Sequence, residues 1–384
     1  MNRTVLRNAR LVLDDEIVVG TLAFNQDGII AVDHGATSAR GALDADGDLL
    51  APGLVEMHTD NLERHLMPRP KVHWSEAPAL LAHDAEIVGA GITTVLDALG
   101  VGEIDPESLR GSTWNTLLKC LNECIAHDVL RAEHLLHVRC ELPAPNTIEL
   151  FAPFHNHPRL RLISLMDHTP GQRQWENIDH ARIYYIGKKG WSPATYEAKV
   201  AAAAEMQLRY ARPHRAHFVD YCRVNGIALA SHDDTTTAHV EEAHRDGAVL
   251  SEFPTTRLAA ESARRLGLAT VMGGPNVVRG GSHSGNVAAA VLARDGLLDI
   301  LSSDYVPSSL LSAVFVLHHD YGIALPQAFA MVTRRPAVAI GLHDRGRIAK
   351  GLRADLVQIR PVPMTDGCIR PVVRAVWREG RRVA

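Results

Sequence analysis

His58 and Asp60 stand two apart at the end of a short apolar run, Leu54-Val55-Glu56-Met57-His58, and Asn61-Leu62-Glu63-Arg64-His65 follows at once. In a β-strand, residues two apart project to the same side. A strand over Leu54–His58 therefore sends this imidazole and this carboxylate out of its C-terminal end together. Such a pair is what a zinc-like divalent ion takes as ligands. His-x-Asp is common by chance, so the metal reading depends on matching donors elsewhere.

Those donors recur in phase. Eight apolar runs read as strands: Leu54–His58, Thr93–Ala98, Leu135–Glu141, Leu160–Asp167, Ile227–Ser231, Ala248–Phe253, Ala269–Met272 and Ile300–Ser303. All but Ala269–Met272 close on an acid or imidazole: His58-Thr59-Asp60, Asp97, Glu141, Asp167-His168, Ser231-His232-Asp233-Asp234, Glu252 and Ser302-Ser303-Asp304. One such ending means little, but a series of them is hard to assign to solvated loop tips. Two divalent ions about 3.5–4 Å apart need a bridging carboxylate and several imidazole or carboxylate caps. Glu141, an acid in an apolar strand, suits the bridge. His168 and His232 cap one ion, and His58, Asp60 and Asp304 hold the other. Asp304 is also placed to take a proton from the water that the ions activate. Glu252 and Asp97 read more readily as partners in salt bridges inside a barrel.

The elements that must position these groups follow from the same pattern. Helical stretches separate most strands, for example Ala77–Ala90, Thr113–His127, Pro193–Asn225 and Asn286–Asp295. Alternating strands and helices indicate an α/β protein with a parallel sheet. Eight strands over about 250 residues match a (β/α)8 TIM-type barrel, whose chemistry sits at the C-terminal strand ends. An open doubly wound sheet is the alternative, but no Gly-rich dinucleotide turn follows an early strand. The chain's ends read differently. Thr4–Leu6, Ala9–Leu13, Glu16–Phe24 and Ile29–Val32 are short strands with Asp-Gly turns at Asp27-Gly28 and Asp46-Gly47. Leu356–Ile359, Val372–Arg378 and Arg381–Val383 continue the pattern at the other end. The expected organisation is a small composite β-sandwich-like domain, residues 1–51 with 345–384, flanking a hydrolase barrel over residues 52–344.

Composition bounds the class. The chain has 384 residues, 46% hydrophobic content and a net charge of −4. That size accommodates a large domain with a small one. The charge balance gives no nucleic-acid footprint. No apolar run reaches the roughly 18 residues of a membrane span. Five scattered cysteines suit a reducing cytoplasm, and Cys120 and Cys124 read as core thiols. Histidine is unusually frequent, at 21 residues.

The β-rich ends, the barrel, the His-x-Asp on the first strand and the Asp on the last resemble the amidohydrolase superfamily, as does the tail Gly346-Arg347-Ile348-Ala349-Lys350-Gly351-Leu352-Arg353-Ala354-Asp355-Leu356-Val357. Within it, His58–Pro70 (HTDNLERHLMPRP), Leu165–Arg173 (LMDHTPGQR) and Ser231–Thr236 (SHDDTT) are similar to PhnM-like proteins of phosphonate metabolism. Glu252-Phe253-Pro254-Thr255-Thr256 and Gly273-Gly274-Pro275-Asn276 fit the same family. The resemblance implies a phosphohydrolase of the carbon–phosphorus lyase pathway. Its members cleave α-D-ribose 1-methylphosphonate 5-triphosphate to the 5-phosphate and pyrophosphate.

The resemblance also implies a metal set of His58, Asp60, Glu141, His168, His232 and Asp304. Two departures stand out. Asp60 replaces the second His of the superfamily's usual His-x-His, and Glu141 takes the place of a carboxylated lysine as bridge. A carboxylate in place of an imidazole shifts preference toward manganese or magnesium, with zinc still compatible. A further strand over Ala181–Ile186, with Lys188 or Lys189 at its polar end, would bring the strand count into line with relatives.

A triphosphate needs cations. Arg279 lies in the glycine-rich stretch Gly273–Asn286, which is expected to run from a strand into a helix over Val287–Arg294. Arg64, His65, Arg69 and Lys71 form a second candidate clamp, and Lys188 with Lys189 a third. The phosphorylated sugar is the expected partner, and homo-oligomerisation stays open. A true amidohydrolase acting on a cyclic amide or N-acyl substrate is the competing reading, with Asp304 protonating the leaving nitrogen. A catalytically dead scaffold is disfavoured, because every expected position carries a metal donor.

Overall fold

The computed structural model describes residues 3–69, 72–102, 110–173, 182–183, 186–187, 191–282 and 285–384. Strands from both ends of the chain share one mainly antiparallel sheet. Thr4–Val12 pairs with Ile17–Asn25, which pairs with Gly28–His34. On its other side Thr4–Val12 runs parallel to Leu43–Asp44 and to Leu49–Pro52. Leu49–Pro52 then pairs antiparallel with Leu356–Pro363, followed by Ile369–Arg378 and Arg381–Arg382. The two short runs expected at Thr4–Leu6 and Ala9–Leu13 are one strand, because a bulge absorbs the polar residues between them. The register slips between Leu6 and Ala9, and Asn8, at φ 55°, takes the left-handed conformation that asparagine tolerates.

The second sheet is all parallel and eight-stranded. Its strands are β1 (Leu54–Thr59), β2 (Ile92–Val101), β3 (Glu133–Glu141), β4 (Leu160–Met166), β5 (Ala228–His232), β6 (Leu250–Glu252), β7 (Ala269–Gly273) and β8 (Ile300–Ser302), hydrogen-bonded in chain order. A bridge between Thr59 and Asp304 joins the last strand to the first, so the sheet closes into a barrel. Each strand sends one residue into a dry plug: Met57, Leu96, Leu135, Leu162, Ala230, Leu250, Val271 and Ile300. The barrel interior is thus packed below the level at which the polar residues emerge. Around it, helices such as Glu76–Gly89, Ser309–Tyr321 and Arg212–Asn225 bury their apolar faces. These helices and the strand faces beneath them make the two large outer cores.

All eight expected barrel strands are present. The expected helix over Pro193–Asn225 is one continuous helical stretch, with a π-helical segment at Gln207–Ala211. Of the further strand considered at Ala181–Ile186, Arg182, Ile183 and Ile186 are helical, and the other three positions lie outside the described residues. All five cysteines are free, with Cys124 buried and Cys120 half-buried. Among the described residues, no helix is long and apolar enough to cross a membrane.

Candidate metal centre

The barrel mouth is a cleft of about 220 Å³ open to solvent, lined among others by His58, His168, His232, Asp233 and Asp304. His58 reaches it through a second bulge. Between Glu56 and Thr59 the pairing of β1 with β2 slips by one residue. Met57 therefore stays in the plug while His58 also turns inward, within 4.9 Å of the His137 ring and 5.6 Å of the His232 ring. The bulge is held by Glu56, whose carboxylate accepts from the backbone N–H groups of His58 and Ser303, each at 2.6 Å. Burial pushes the Glu56 carboxyl up to about 8.

Glu252, at the end of β6, organises the imidazoles. Its Oε1 accepts from Nδ1 of His58 at 3.1 Å, and its Oε2 accepts from Nδ1 of His232 at 3.3 Å. Ser164 also donates to Oε2, at 2.5 Å. Glu252 is fully buried, and although burial opposes ionisation, His137 and His58 hold its carboxyl well below the usual range. A carboxylate on Nδ1 fixes the tautomer that leaves Nε2 free to bind a metal. Glu141 does the same for His168, accepting from its Nδ1 at 2.5 Å and from its backbone N–H at 2.9 Å. The freed Nε2 atoms of His168 and His232 each lie 3.7 Å from Oδ2 of Asp233. Ligand atoms of His58, His232 and Glu252, and of His168, His232 and Asp233, form two groups within 4.8 Å.

Asp304 closes the ring of donors. Its backbone N–H donates to the His58 carbonyl at 3.0 Å, and its own carbonyl accepts from Asp60 N–H at 3.2 Å and Thr59 Oγ1 at 2.8 Å. Its carboxyl is raised, first by burial, with the neighbouring Asp60 charge adding to it and His58 opposing. Asp233, Phe253 and Asp304 follow the ends of β5, β6 and β8 with φ of 55°, 52° and 56°. For Phe253 that conformation is a genuine outlier, and its ring stands edge-on to His58 and His232 at 4.9 and 5.3 Å. Left-handed residues at three strand ends, with Phe253 strained among them, are the kind of cost that functional sites retain.

The expected site residues divide accordingly. The structure brings together His58, His168, His232, Glu141 and Asp304. Asp60 is half-buried, beside Asp304 rather than among the cleft-lining residues. Glu141 differs from the expected bridge, since both its oxygens are engaged by His168. Glu252 and Asp233 are donors that sequence reasoning underweighted or missed. For Asp233 the signal was present, as the residue directly after His232. Asp97 is elsewhere, as a salt-bridge partner behind the barrel wall. It accepts from His83 Nε2 and His134 Nδ1, both at 2.8 Å.

The expected cationic clamp is largely redirected. The short helix Asn61–Leu66 turns Arg64 and His65 away from the cleft, onto Glu86, at 3.0 and 2.9 Å. Arg69 is exposed in a hairpin-like bridge with Val72, outside the cleft lining. Lys71, Lys188 and Lys189 lie outside the described residues. Arg279 does line the cleft, but not ahead of a helix start. Pro275, favoured in a first turn, lets Gly274–Val278 become a short helix immediately after β7, and Arg279 is its C-cap. The next helix starts at Ala289 rather than Val287.

The donor set fits divalent metal ions. Three imidazoles with Nδ1 engaged by, or adjacent to, buried carboxylates, together with Asp233 and Asp304, offer mixed nitrogen and oxygen ligands of the kind zinc and manganese take.

Comparison with known proteins agrees. The sequence profile of the Amidohydrolase family matches residues 195–384. The chain is 45% identical over 381 residues to the alpha-D-ribose 1-methylphosphonate 5-triphosphate diphosphatase of Escherichia coli, covering 99% of this chain and 100% of that protein. Among solved structures it resembles molinate hydrolase, with a TM-score of 0.65 and 14% identity over 99% of this chain and 94% of that one. It also resembles N-isopropylammelide isopropylaminohydrolase from Burkholderia multivorans, with a TM-score of 0.63 and 16% identity over 100% and 98% of the two chains. These two likenesses concern the fold. The full-length identity goes further: this chain is a hydrolase of the alpha-D-ribose 1-methylphosphonate 5-triphosphate diphosphatase family, within the amidohydrolases.

Proposed function

We propose that the chain hydrolyses α-D-ribose 1-methylphosphonate 5-triphosphate to the 5-phosphate and pyrophosphate, with the cleft at the barrel mouth as its active site. The observation that carries the substrate is 45% identity along the whole length of a relative named for this reaction. The cleft supports it, since metal donors and the arginines Arg139 and Arg279 line one cavity.

His58, His168, His232, Asp233 and Asp304 would hold one or two divalent ions, with Glu252 and Glu141 orienting the imidazoles. Bound there, such ions would supply Lewis-acid charge to the phosphoryl oxygens and make the attacking water more acidic. Asp304 receives the proton. The water oxygen bonds to the α-phosphorus, the α–β anhydride P–O bond breaks, and pyrophosphate leaves with that bond's electron pair. Arg279 meets the outer phosphates at the cleft rim. Zinc, manganese and magnesium are each compatible with this donor set, and the setting we propose is cytoplasmic. We further propose domain boundaries of 1–51 with 345–384 for the composite sheet domain and 52–344 for the barrel.

The test is ³¹P NMR of metal-loaded protein with the triphosphate, with dihydroorotate and an N-acetyl sugar as separate controls. Pyrophosphate in the first tube alone is the expected result. Loss of dihydroorotate, or release of acetate, with the triphosphate intact would overturn the reading in favour of amide hydrolysis.

A further inference from the structure

Among the described residues, Arg139 is a cation paired only loosely, with Glu63 at 3.7 Å. It lies on β3 between His137 and Glu141, and residues two apart on a strand face the same side, so all three look into the barrel. His137 is satisfied at the floor, bonded to the Met57 carbonyl at 3.0 Å and Ser164 Oγ at 2.6 Å. Glu141 is satisfied at the mouth by His168. Arg139 stands between them with 14% of its side chain exposed, lining the cleft. Among the described residues, the carboxylate within ion-pair reach is Glu63, whose Oε1 is 3.7 Å from the guanidinium, beyond hydrogen-bond contact. Its Nε is buried with no acceptor.

A largely buried guanidinium that donates so few hydrogen bonds is costly, because desolvation is then uncompensated. Arginine's fixed fork of donors matches phosphate two oxygens at a time. Arg279, the other arginine of the cleft, is exposed at its rim.

We propose that Arg139 is an anion-binding residue of the cleft floor, which grips the phosphoryl group seated against the His58–His232 donors. The assignment rests on the proposed phosphohydrolase reading and adds to it a specificity-determining contact. The floor arginine and the rim arginine then define two ends of one polyanion path. Arg139 takes the group that reacts, and Arg279 the group that leaves.

The competing account is that Arg139 merely neutralises Glu63. Three variants, R139M, R139K and E63Q, separate the two. The readouts are triphosphate kinetics and calorimetric binding of inorganic tripolyphosphate to metal-loaded protein. The expected result is that R139M raises both KM and the tripolyphosphate Kd at least about tenfold, the scale of a lost charge-assisted hydrogen bond. R139K should recover part of the loss, because it restores charge without the fork, and E63Q should leave the Kd unchanged or tightened. The inference is overturned if R139M binds tripolyphosphate within twofold of the parent, or if adding E63Q to R139M restores binding. Triphosphate hydrolysis in the parent with R139M kinetics unaltered would remove this inference and leave the proposed function standing. No triphosphate hydrolysis, but tripolyphosphate binding lost in R139M, would do the reverse.

Discussion

Glu252 Oε1 accepts from His58 Nδ1 at 3.1 Å across 194 residues of chain, tying the sixth barrel strand to the bulge in the first. Because its other oxygen takes His232, one carboxylate sets the direction of two imidazoles. Outer carboxylates of this kind are worth about 10–100-fold in metal affinity. Glu252→Ala should therefore lose metal at least on that scale, and Glu252→Gln somewhat less, since its amide keeps one acceptor. Chelator competition with zinc or manganese measures the affinity directly. Retention of parental affinity by Glu252→Ala would show that Glu252 is only a core ion-pair partner.

Asp304, the proposed proton acceptor, has a left-handed backbone at φ 56°. Asparagine tolerates that conformation, so Asp304→Asn removes the charge without straining the turn. Loss of the proton acceptor should lower kcat by about 10²–10⁴-fold, with thermal stability close to the parent's. A loss below tenfold in steady-state kinetics would exclude Asp304 as the general base.

Behind the barrel wall, His134 donates to Asp97 at 2.8 Å and to Asp84 at 3.3 Å. With carboxylates at both nitrogens it is an imidazolium. Burial opposes the charge, but Asp97 and Asp84 outweigh it and hold the pKa up at about 9, against an ordinary 6.5. A raised folded-state pKa means that this stabilisation is complete below pH 6.5 and is lost as pH rises toward about 9. Asp97→Asn, which strands the imidazolium, should cost about 3–5 kcal/mol. That deficit should shrink from pH 6.5 to pH 9. Urea unfolding at several pH values tests both statements, and a deficit that grows with pH would refute the assignment.

Gly53 links the composite sheet to β1, and a Cβ there would lie 2.2 Å from Thr93 Oγ1. Gly53→Ala should destabilise by about 1–3 kcal/mol, the range for overpacking. Adding Thr93→Ala should recover part of the loss, because Oγ1 and Cγ2 go while the Cβ, 2.9 Å away, remains. Equal melting temperatures for parent and Gly53→Ala would mean that the β1–β2 contact yields freely.

Much of the barrel was legible because eight apolar runs recur with helices between most of them, and seven end in acid or imidazole. What alternation could not show was the bulge at Met57–His58, since one extra residue in a strand leaves no mark in composition. Glu252 was undervalued for a related reason. A lone acid at a strand end reads the same whether it binds metal, orients a ligand or pairs with a core cation, and only the approach to Nδ1 distinguishes these. Arg64 and His65 follow the His58–Asp60 pair closely in sequence but not in space, because one helical turn carries them to Glu86. Arg139 was visible two residues before Glu141, yet nothing in the sequence shows that its Nε is buried with no acceptor.

The strand Leu49–Pro52, which leads straight into β1, is paired along one edge by Leu356–Pro363, and Gly53 N–H donates to Asp355 O at 2.8 Å. During synthesis that edge waits until some 300 further residues have been made. A nascent chain stalled just past Asp304 would carry every barrel strand and every proposed metal donor, yet it would present an open backbone edge to its neighbours, a template for aggregation. The late strand Leu356–Pro363 therefore covers an edge that a chain already carrying the whole barrel would leave open.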